Sequence, residues 1–289
     1  MNESKSAVTE ISFPLSELDL QGLSKGIEGS SIVLCLHGWL DNAASFIPLM
    51  NELEDKHIIA IDWPGHGHSS HRGQDAHYHF IDYVYDLLLL FEHNDWQAID
   101  IVAHSMGGMI ASAFAAAFPE KVNSLTLIDS IGFISAKSEQ TTEQLRDGML
   151  SRLKLKGKRK PIHIDIESAI KARRSVSDLT YQDAKLLVER GSLDVEDGIT
   201  WRADSRLRNT SPYRLTFSQT QQFVKDISIP VQLIYGDKGI EFVEIGLEHY
   251  GPLFKQFVAH KLTGGHHIHM EQPTQTAQLI ELFINKHHG

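Results

Sequence analysis

Ile99-Asp100-Ile101-Val102-Ala103-His104-Ser105-Met106-Gly107-Gly108 is the stretch whose reading decides the fold. Residues 99–103 form a short apolar run of strand type, and residues 106–118 are the small and apolar residues of a helix that stops at Pro119. Only a sharp turn separates the two. A serine at the apex of such a strand–turn–helix unit stands above the sheet edge, with the first amide of the helix beside it. The turn strains the serine's backbone and tolerates only small neighbours. The residues two before and two after Ser105 are Ala103, where glycine is usual, and Gly107, while Gly108 and Ala111 let the helix approach the sheet closely.

Outward from this unit, strand-like and helix-like segments alternate. Strands are expected at residues 32–36, 57–61, 125–128, 230–235 and 257–262. Helices are expected at residues 43–53, along Phe80, Tyr83, Val84, Leu87, Leu88 and Phe91, and along Ala277, Leu279, Ile280, Phe283 and Ile284. The alternation predicts an α/β fold with a mostly parallel sheet of about eight strands, flanked by helices. Between residues 132 and 226 the pattern breaks: the segment is polar and helix-prone, without a clear buried strand. It reads as a helical cap inserted between two strands, leaving residues 1–131 and 227–289 as one core. The basic run Lys154-Leu155-Lys156-Gly157-Lys158-Arg159-Lys160 within it reads as solvated surface, with attraction of an anionic substrate as the sharper alternative.

With 42% hydrophobic and 22% charged residues, the chain has enough apolar material for a large core without disulfides or a structural metal. A net charge of −10 disfavours nucleic acid and anionic membrane as partners. The single cysteine, Cys35, lies in an apolar run and is expected to be buried and inert. The polar start MNESKSAVTE has no apolar signal core and no run is long enough to span a membrane, so a cytoplasmic location is expected. Oligomeric state is not readable.

Three loops carry candidate chemistry. Ser105 is the expected nucleophile, and the Met106 amide can face a developing oxyanion. In His37-Gly38-Trp39, after the first strong strand, Gly38 permits an unusual backbone path and the Trp39 amide is the expected second oxyanion donor. In Gly264-Gly265-His266-His267-Ile268-His269, between the last strand and the last helix, His266 directly follows the glycines and is the expected base, with His267 and His269 in supporting or structural roles. His37, Gly38, Trp39 and His104 are expected to contact the substrate. Trp39, Trp63 and Phe133 either line its pocket or pack under the cap. His66-Gly67-His68-Ser69-Ser70-His71 imitates a metallo-hydrolase motif, but Ser70 stands where the aspartate belongs, and no metal or cofactor is expected.

Together, His37-Gly38-Trp39-Leu40-Asp41-Asn42, Asp62-Trp63-Pro64-Gly65-His66-Gly67-His68-Ser69, Ala103-His104-Ser105-Met106-Gly107 and Gly265-His266 resemble the α/β-hydrolase superfamily along nearly the whole chain. With Leu187-Val188-Glu189-Arg190-Gly191 and His266-His267-Ile268-His269-Met270-Glu271, the sequence is most similar to the serine hydrolase-like group. The resemblance implies a nucleophile–base–acid triad. In many members the acid follows the penultimate strand, three residues after a glycine, but here that position is Gly239. A second position used in the superfamily, the end of the preceding strand, holds Asp129, which is the favoured acid over Asp237, Glu241 or a degraded triad. The expected function is a serine hydrolase cleaving a small ester-type substrate through an acyl-enzyme. C–C bond or thioester hydrolysis and non-catalytic ligand binding are the rivals.

Overall fold

Strands that pack helices on both faces must be apolar at nearly every position. Such runs form the centre of the sheet in the computed structural model, which describes residues 7–288. Residues 1–6, part of the polar start considered above, lie outside them. The chain opens with β1 (Thr9–Pro14) and β2 (Asp19–Gly26), continues through β3 (Ile32–Leu36), α1 (Ile47–Met50), β4 (His57–Ile61), α2 (Phe80–His93), β5 (Ile99–His104) and α3 (Met106–Ala117), and reaches β6 (Val122–Ile128). Then come α4 (Thr141–Leu155), β7 (Ile162–His163), α5 (Ile166–Arg174), α6 (Tyr181–Gly191), β8 (Ser192–Val195), β9 (Gly198–Trp201) and α7 (Phe217–Asp226). The chain ends with β10 (Val231–Gly236), α8 (Glu241–Tyr250), β11 (Phe257–Leu262), α9 (Ile268–Glu271) and α10 (Pro273–His287).

Eight strands form one sheet in the order β1-β2-β4-β3-β5-β6-β10-β11, as the α/β reading expects. β1 and β2, and β2 and β4, pair antiparallel; the remaining neighbours are parallel. Alternate strand residues face opposite sides. Leu34, Leu36, Ile101, Ala103, Leu125 and Leu127 pack with Leu87, Phe91, Ile110 and Phe114 of α2 and α3. Val33, Cys35, Ile58, Val102 and Ile234 pack with Leu49, Met50, Ile280 and Ile284 on the other face. Cys35 is fully buried, and burial pushes its thiol far above the usual range.

Three local expectations are corrected. The helix expected over 43–53 is a 3-10 turn, Ala43–Phe46, followed by the single turn of α1, because Pro48 lacks an amide and fits only a first helical turn. β1 and β2 add to the strands expected from sequence: β1 is the exposed edge strand and β2, though paired on both sides, alternates buried with polar positions, so neither carries a continuous apolar run. The insertion between β6 and β10 is not wholly helical: β7, β9 and β8 make a separate three-stranded antiparallel sheet. Its strands are two to four residues long and none is buried along its length, which leaves no strand signal in the sequence.

Parallel strands carry their carboxyl ends to one edge. The loops bearing Gly38, Ser105, Asp129, Asp237 and His266 therefore emerge together, after β3, β5, β6, β10 and β11. Among the described residues no helix is long and apolar enough to cross a membrane.

Candidate active site

Ser105 joins β5 directly to α3, with φ 51° and ψ −118°. A non-glycine residue in this region costs about 1–3 kcal/mol and persists only when its surroundings hold it. Here the Ser105 amide donates to the Ile128 carbonyl (3.1 Å), and its own carbonyl accepts from the Gly108 amide (2.9 Å) and the Ser130 hydroxyl (2.7 Å). A Cβ at Gly107 would lie 2.3 Å from the Leu36 carbonyl, so the small residue expected after the turn is sterically required.

His266 Nε2 lies 3.0 Å from Ser105 Oγ, and its Nδ1 lies 2.6 Å from Asp129 Oδ2. A carboxylate only accepts, so the ring proton belongs on Nδ1 and the Nε2 lone pair faces the serine hydroxyl. The Asp129 carboxylate is buried and also accepts the amides of Gly236 (3.3 Å) and Ile240 (3.2 Å). Asp129 itself has φ 43°, a second strained residue at a strand end. A Cβ at Gly239 would stand 2.3 Å from Asp129 Oδ1. The glycine at the usual acid position and the aspartate on the neighbouring strand are thus complementary, because the carboxylate fills the space that a side chain at 239 would need. Asp237 instead accepts the Gly264 amide (2.9 Å), bracing the histidine loop, and Glu241 is exposed in the first turn of α8.

Met106 begins α3, where the first amides have no intrahelical acceptor. Among the described residues neither its amide nor that of Trp39 donates to a protein acceptor. Gly38 is buried against the serine: a Cβ there would lie 3.0 Å from Ser105 Cβ. The Trp39 ring is half exposed, donates through Nε1 to the Leu207 carbonyl (3.0 Å) and lies under the Arg208 guanidinium.

Other site expectations are corrected. His37 and His104, expected against the substrate, are fully buried, and both rings turn to backbone partners. His37 donates through Nδ1 to the Gly38 carbonyl and accepts the Trp63 amide on Nε2, which braces the loop of Gly38 and Trp39. His104 Nε2 donates to the His266 carbonyl (3.0 Å). Trp63 is buried with its indole bonded to the His37 carbonyl, and Phe133 is buried between Phe80 and Phe223, so both are packing residues.

Sequence reasoning missed a buried ionic chain under the histidine loop. His267 Nε2 meets Asp41 Oδ2 and its Nδ1 meets Asp178 Oδ1, each at 3.2 Å, while Arg173 pairs with Asp41 at 2.5 Å. Burial opposes charge on His267, but the Asp41 and Asp178 carboxylates outweigh it and hold the ring pKa at about 9. The reciprocal bond from His267 draws Asp178 down to about 2. His104 and His269, buried among other histidines, are pushed well below the usual range and are neutral. Asp41, His104 and His267 are close enough to hold a metal ion, their ligand atoms lying within 4.8 Å of one another. Arg173 and protonated His267 already neutralise Asp41 there. In the metallo-hydrolase imitation, burial lowers His66 to about 3 and its Nδ1 faces the Pro64 carbonyl, while His71 turns to Arg202 and Asp204. Asp41 appeared in a quoted motif, but nothing local marked its partners, which lie over a hundred residues away.

The model of the alpha/beta hydrolase fold family matches residues 31–273. A serine hydrolase-like protein of Danio rerio is 30% identical over 96% of this chain and 89% of its own length. Serine hydrolase-like protein 2 of Homo sapiens is 29% identical, covering 89% of this chain and 87% of its own. Among solved structures, a hypothetical protein from Pseudomonas aeruginosa PAO1 superimposes with a TM-score of 0.91 at 35% identity, covering 96% of this chain and 99% of that one. The chain belongs to the α/β-hydrolase family, in its serine hydrolase-like group.

Proposed function

We propose that this protein is a serine hydrolase that cleaves a small ester-type substrate through an acyl-enzyme, with Ser105 as nucleophile, His266 as base and Asp129 as acid. The observation that carries the reading is the continuous line Ser105 Oγ–His266 Nε2, 3.0 Å, and His266 Nδ1–Asp129 Oδ2, 2.6 Å. His266 takes the Ser105 proton as Oγ attacks the carbonyl carbon. The Trp39 and Met106 amides receive the developing oxyanion, each worth about 3–4 kcal/mol of barrier. The C–O bond to the leaving group then breaks, and His266 hands its proton to the departing alkoxide. Water attacks the acyl-enzyme with His266 again as base, releasing the acid and restoring Ser105. Asp129 keeps the ring in the productive tautomer and stabilises it when charged. No cofactor enters this cycle.

The insertion acts as the cap in this reading. Its Leu207 carbonyl holds the Trp39 indole and its Leu187 carbonyl holds Asn42, so it borders the oxyanion loop. The partner is a small molecule, and the acidic chain acts in the cytoplasm. Non-catalytic binding loses its main support, because the acid lacking at Gly239 has a bonded counterpart in Asp129.

Mass spectrometry after a fluorophosphonate probe tests the proposal. Label on Ser105 in the wild type, none in Ser105→Ala, and hydrolysis of small esters faster than of matched thioester and C–C substrates are expected. An unlabelled, folded wild type would end it.

A further inference from the structure

His266 is held by its backbone as well as by its ring. Its carbonyl accepts from His104 Nε2 in the core (3.0 Å), and its amide donates to Asp178 Oδ2 in the insertion (2.6 Å). Asp178 lies between α5 and α6, and its other oxygen meets His267 Nδ1 at 3.2 Å. One carboxylate therefore spans two consecutive residues of the histidine loop. The preceding residue makes room for it: a Cβ at Gly265 would lie 1.9 Å from Asp178 Oδ2. Gly265 is in turn held through its amide by the Glu271 carboxylate at 3.0 and 3.1 Å. On the far side of His267, Asp41 continues the chain to Arg173, again in the insertion. The insertion thus reaches the loop twice, once directly and once through Asp41.

We propose that Asp178 is a positioning residue for the base, tying the His266 backbone to the insertion so that the imidazole is in line with Ser105 only while the insertion is seated. The proposal rests on His266 being the base. The peptide amide of His266 fixes where its Cα stands, and a misplacement near 1 Å at a reacting group costs on the order of 100-fold. A charged acceptor bonds an amide more strongly than a neutral one, so aspartate suits a part-exposed site where water competes. The tie also makes the apolar contacts of the insertion matter to chemistry, since whatever lifts α5 and α6 from the core pulls on the same carboxylate.

The experiment compares the full-length wild type with Asp178→Ala, Asp178→Asn, Gly265→Ala and, as an insertion control, Asp194→Ala, an exposed strand residue. Ser105 labelling rate, kcat and KM on a small ester, and Tm are read for each. Asp178→Ala is expected to lower kcat and labelling 10- to 100-fold with KM within about twofold. Asp178→Asn, whose amide oxygen still accepts the His266 amide, is expected to recover most of the rate. Gly265→Ala, which keeps the carboxylate but occupies its place, is expected to lose as much as Asp178→Ala. Asp194→Ala is expected to match the wild type. Asp178→Ala labelled at the wild-type rate, with Ser105→Ala unlabelled, would overturn the positioning role and leave the triad intact. Equal losses in Asp178→Ala and Asp178→Asn that track a falling Tm would overturn it too, by assigning a purely structural role. A wild type that takes no label overturns both readings.

Discussion

The α/β core and the insertion are held in place by different forces. The core is fastened by apolar burial on both faces of one sheet, where Leu34, Leu36, Ile101, Leu125 and Leu127 are wholly out of water. The insertion has a small apolar cluster, from Ala169, Ile170, Leu179, Ala184, Leu187 and Val188 with Met270, and it leaves Leu145, Met149, Leu150 and Leu153 of α4 exposed. Phe133, Phe223 and Val224 join it to the main apolar cluster of the core, and the rest of it is tied down by charge. Arg190 pairs with Asp62, Arg173 with Asp41, Asp178 with His267, and Asp204 accepts the Tyr78 hydroxyl. Apolar burial is non-directional and insensitive to pH, whereas ion pairs impose geometry and depend on protonation. The core's hold is therefore indifferent to pH, whereas the insertion's hold over the same sheet edge is directional and conditional on protonation.

The largest expected effect lies on the core side. Asp129→Asn leaves the side-chain volume in place but removes the charge and turns one of the two accepting oxygens into an NH2 donor, so the proton is no longer held on His266 Nδ1, and kcat should fall about 10⁴-fold. Asp237→Asn keeps an oxygen for the Gly264 amide, and its kcat should stay within about tenfold. Steady-state kinetics on one ester separates the two. The opposite ranking would move the acid to the strand after the insertion and break the complementarity between Gly239 and Asp129.

That complementarity also marks what the sequence could reveal. β3 to β6 and β10 were legible because doubly covered strands are apolar runs, β11 at the edge was legible from the apolar start and end of its segment, and Ser105 was legible because few contexts place a serine between a buried strand and a helix of small residues. His266 followed from its glycines and its place after the last strand. Asp129 could be favoured only through family resemblance, since an aspartate after a strand often serves merely as a cap. His37 and His104 were misread because adjacency in sequence does not tell which side of a loop a ring takes; both turn inward to backbone partners. The ties of the insertion were illegible for a simpler reason. Arg190 and Asp62 are 128 positions apart, and nothing local marks a charge that will be buried against such a partner.

That tie provides the next prediction. Asp62 is fully buried and accepts the Ala43 and His68 amides as well as the Arg190 guanidinium. Arg190→Met leaves its carboxylate without a counter-charge, and the cost should be about 3–5 kcal/mol. Adding Asp62→Asn to Arg190→Met should restore part of it, which a double-mutant cycle in urea would read. A single-mutant cost below about 1 kcal/mol would mean that the insertion is held by its apolar contacts after all.

Protonation sharpens the same contrast. His267 has its folded pKa raised to about 9, above the usual value near 6.5. A raised pKa means that the native state holds the proton more tightly, so the stabilisation is complete below about 6.5 and is lost as pH rises through about 9. At 1.36 kcal/mol for each tenfold gain in proton affinity, it is worth roughly 3 kcal/mol. Unfolding midpoints should fall between pH 6.5 and 9.5 in the wild type and fall less in His267→Gln. Identical profiles for the two proteins would show that His267 is not charged in the fold.

The smallest effect belongs to charges of the insertion that touch nothing. Lys154, Lys156 and Lys158 are exposed, in contrast to Lys160, whose ammonium donates to the Trp201 and Arg202 carbonyls. A solvated lysine gains little from the fold, so replacing the first three with serine should change stability by less than about 0.5 kcal/mol. The triple variant should also keep the wild-type KM for neutral and anionic esters alike. A KM that rises for the anionic ester alone, and less so at high salt, would instead show that this run draws anions toward the site. Screening separates these outcomes, because an attraction acting over several ångströms weakens as the Debye length shrinks to about 3 Å in 1 M salt. Loss of a local contact would not respond in that way. A salt-independent result would leave the conditional part of the insertion where buried charge meets the histidine loop.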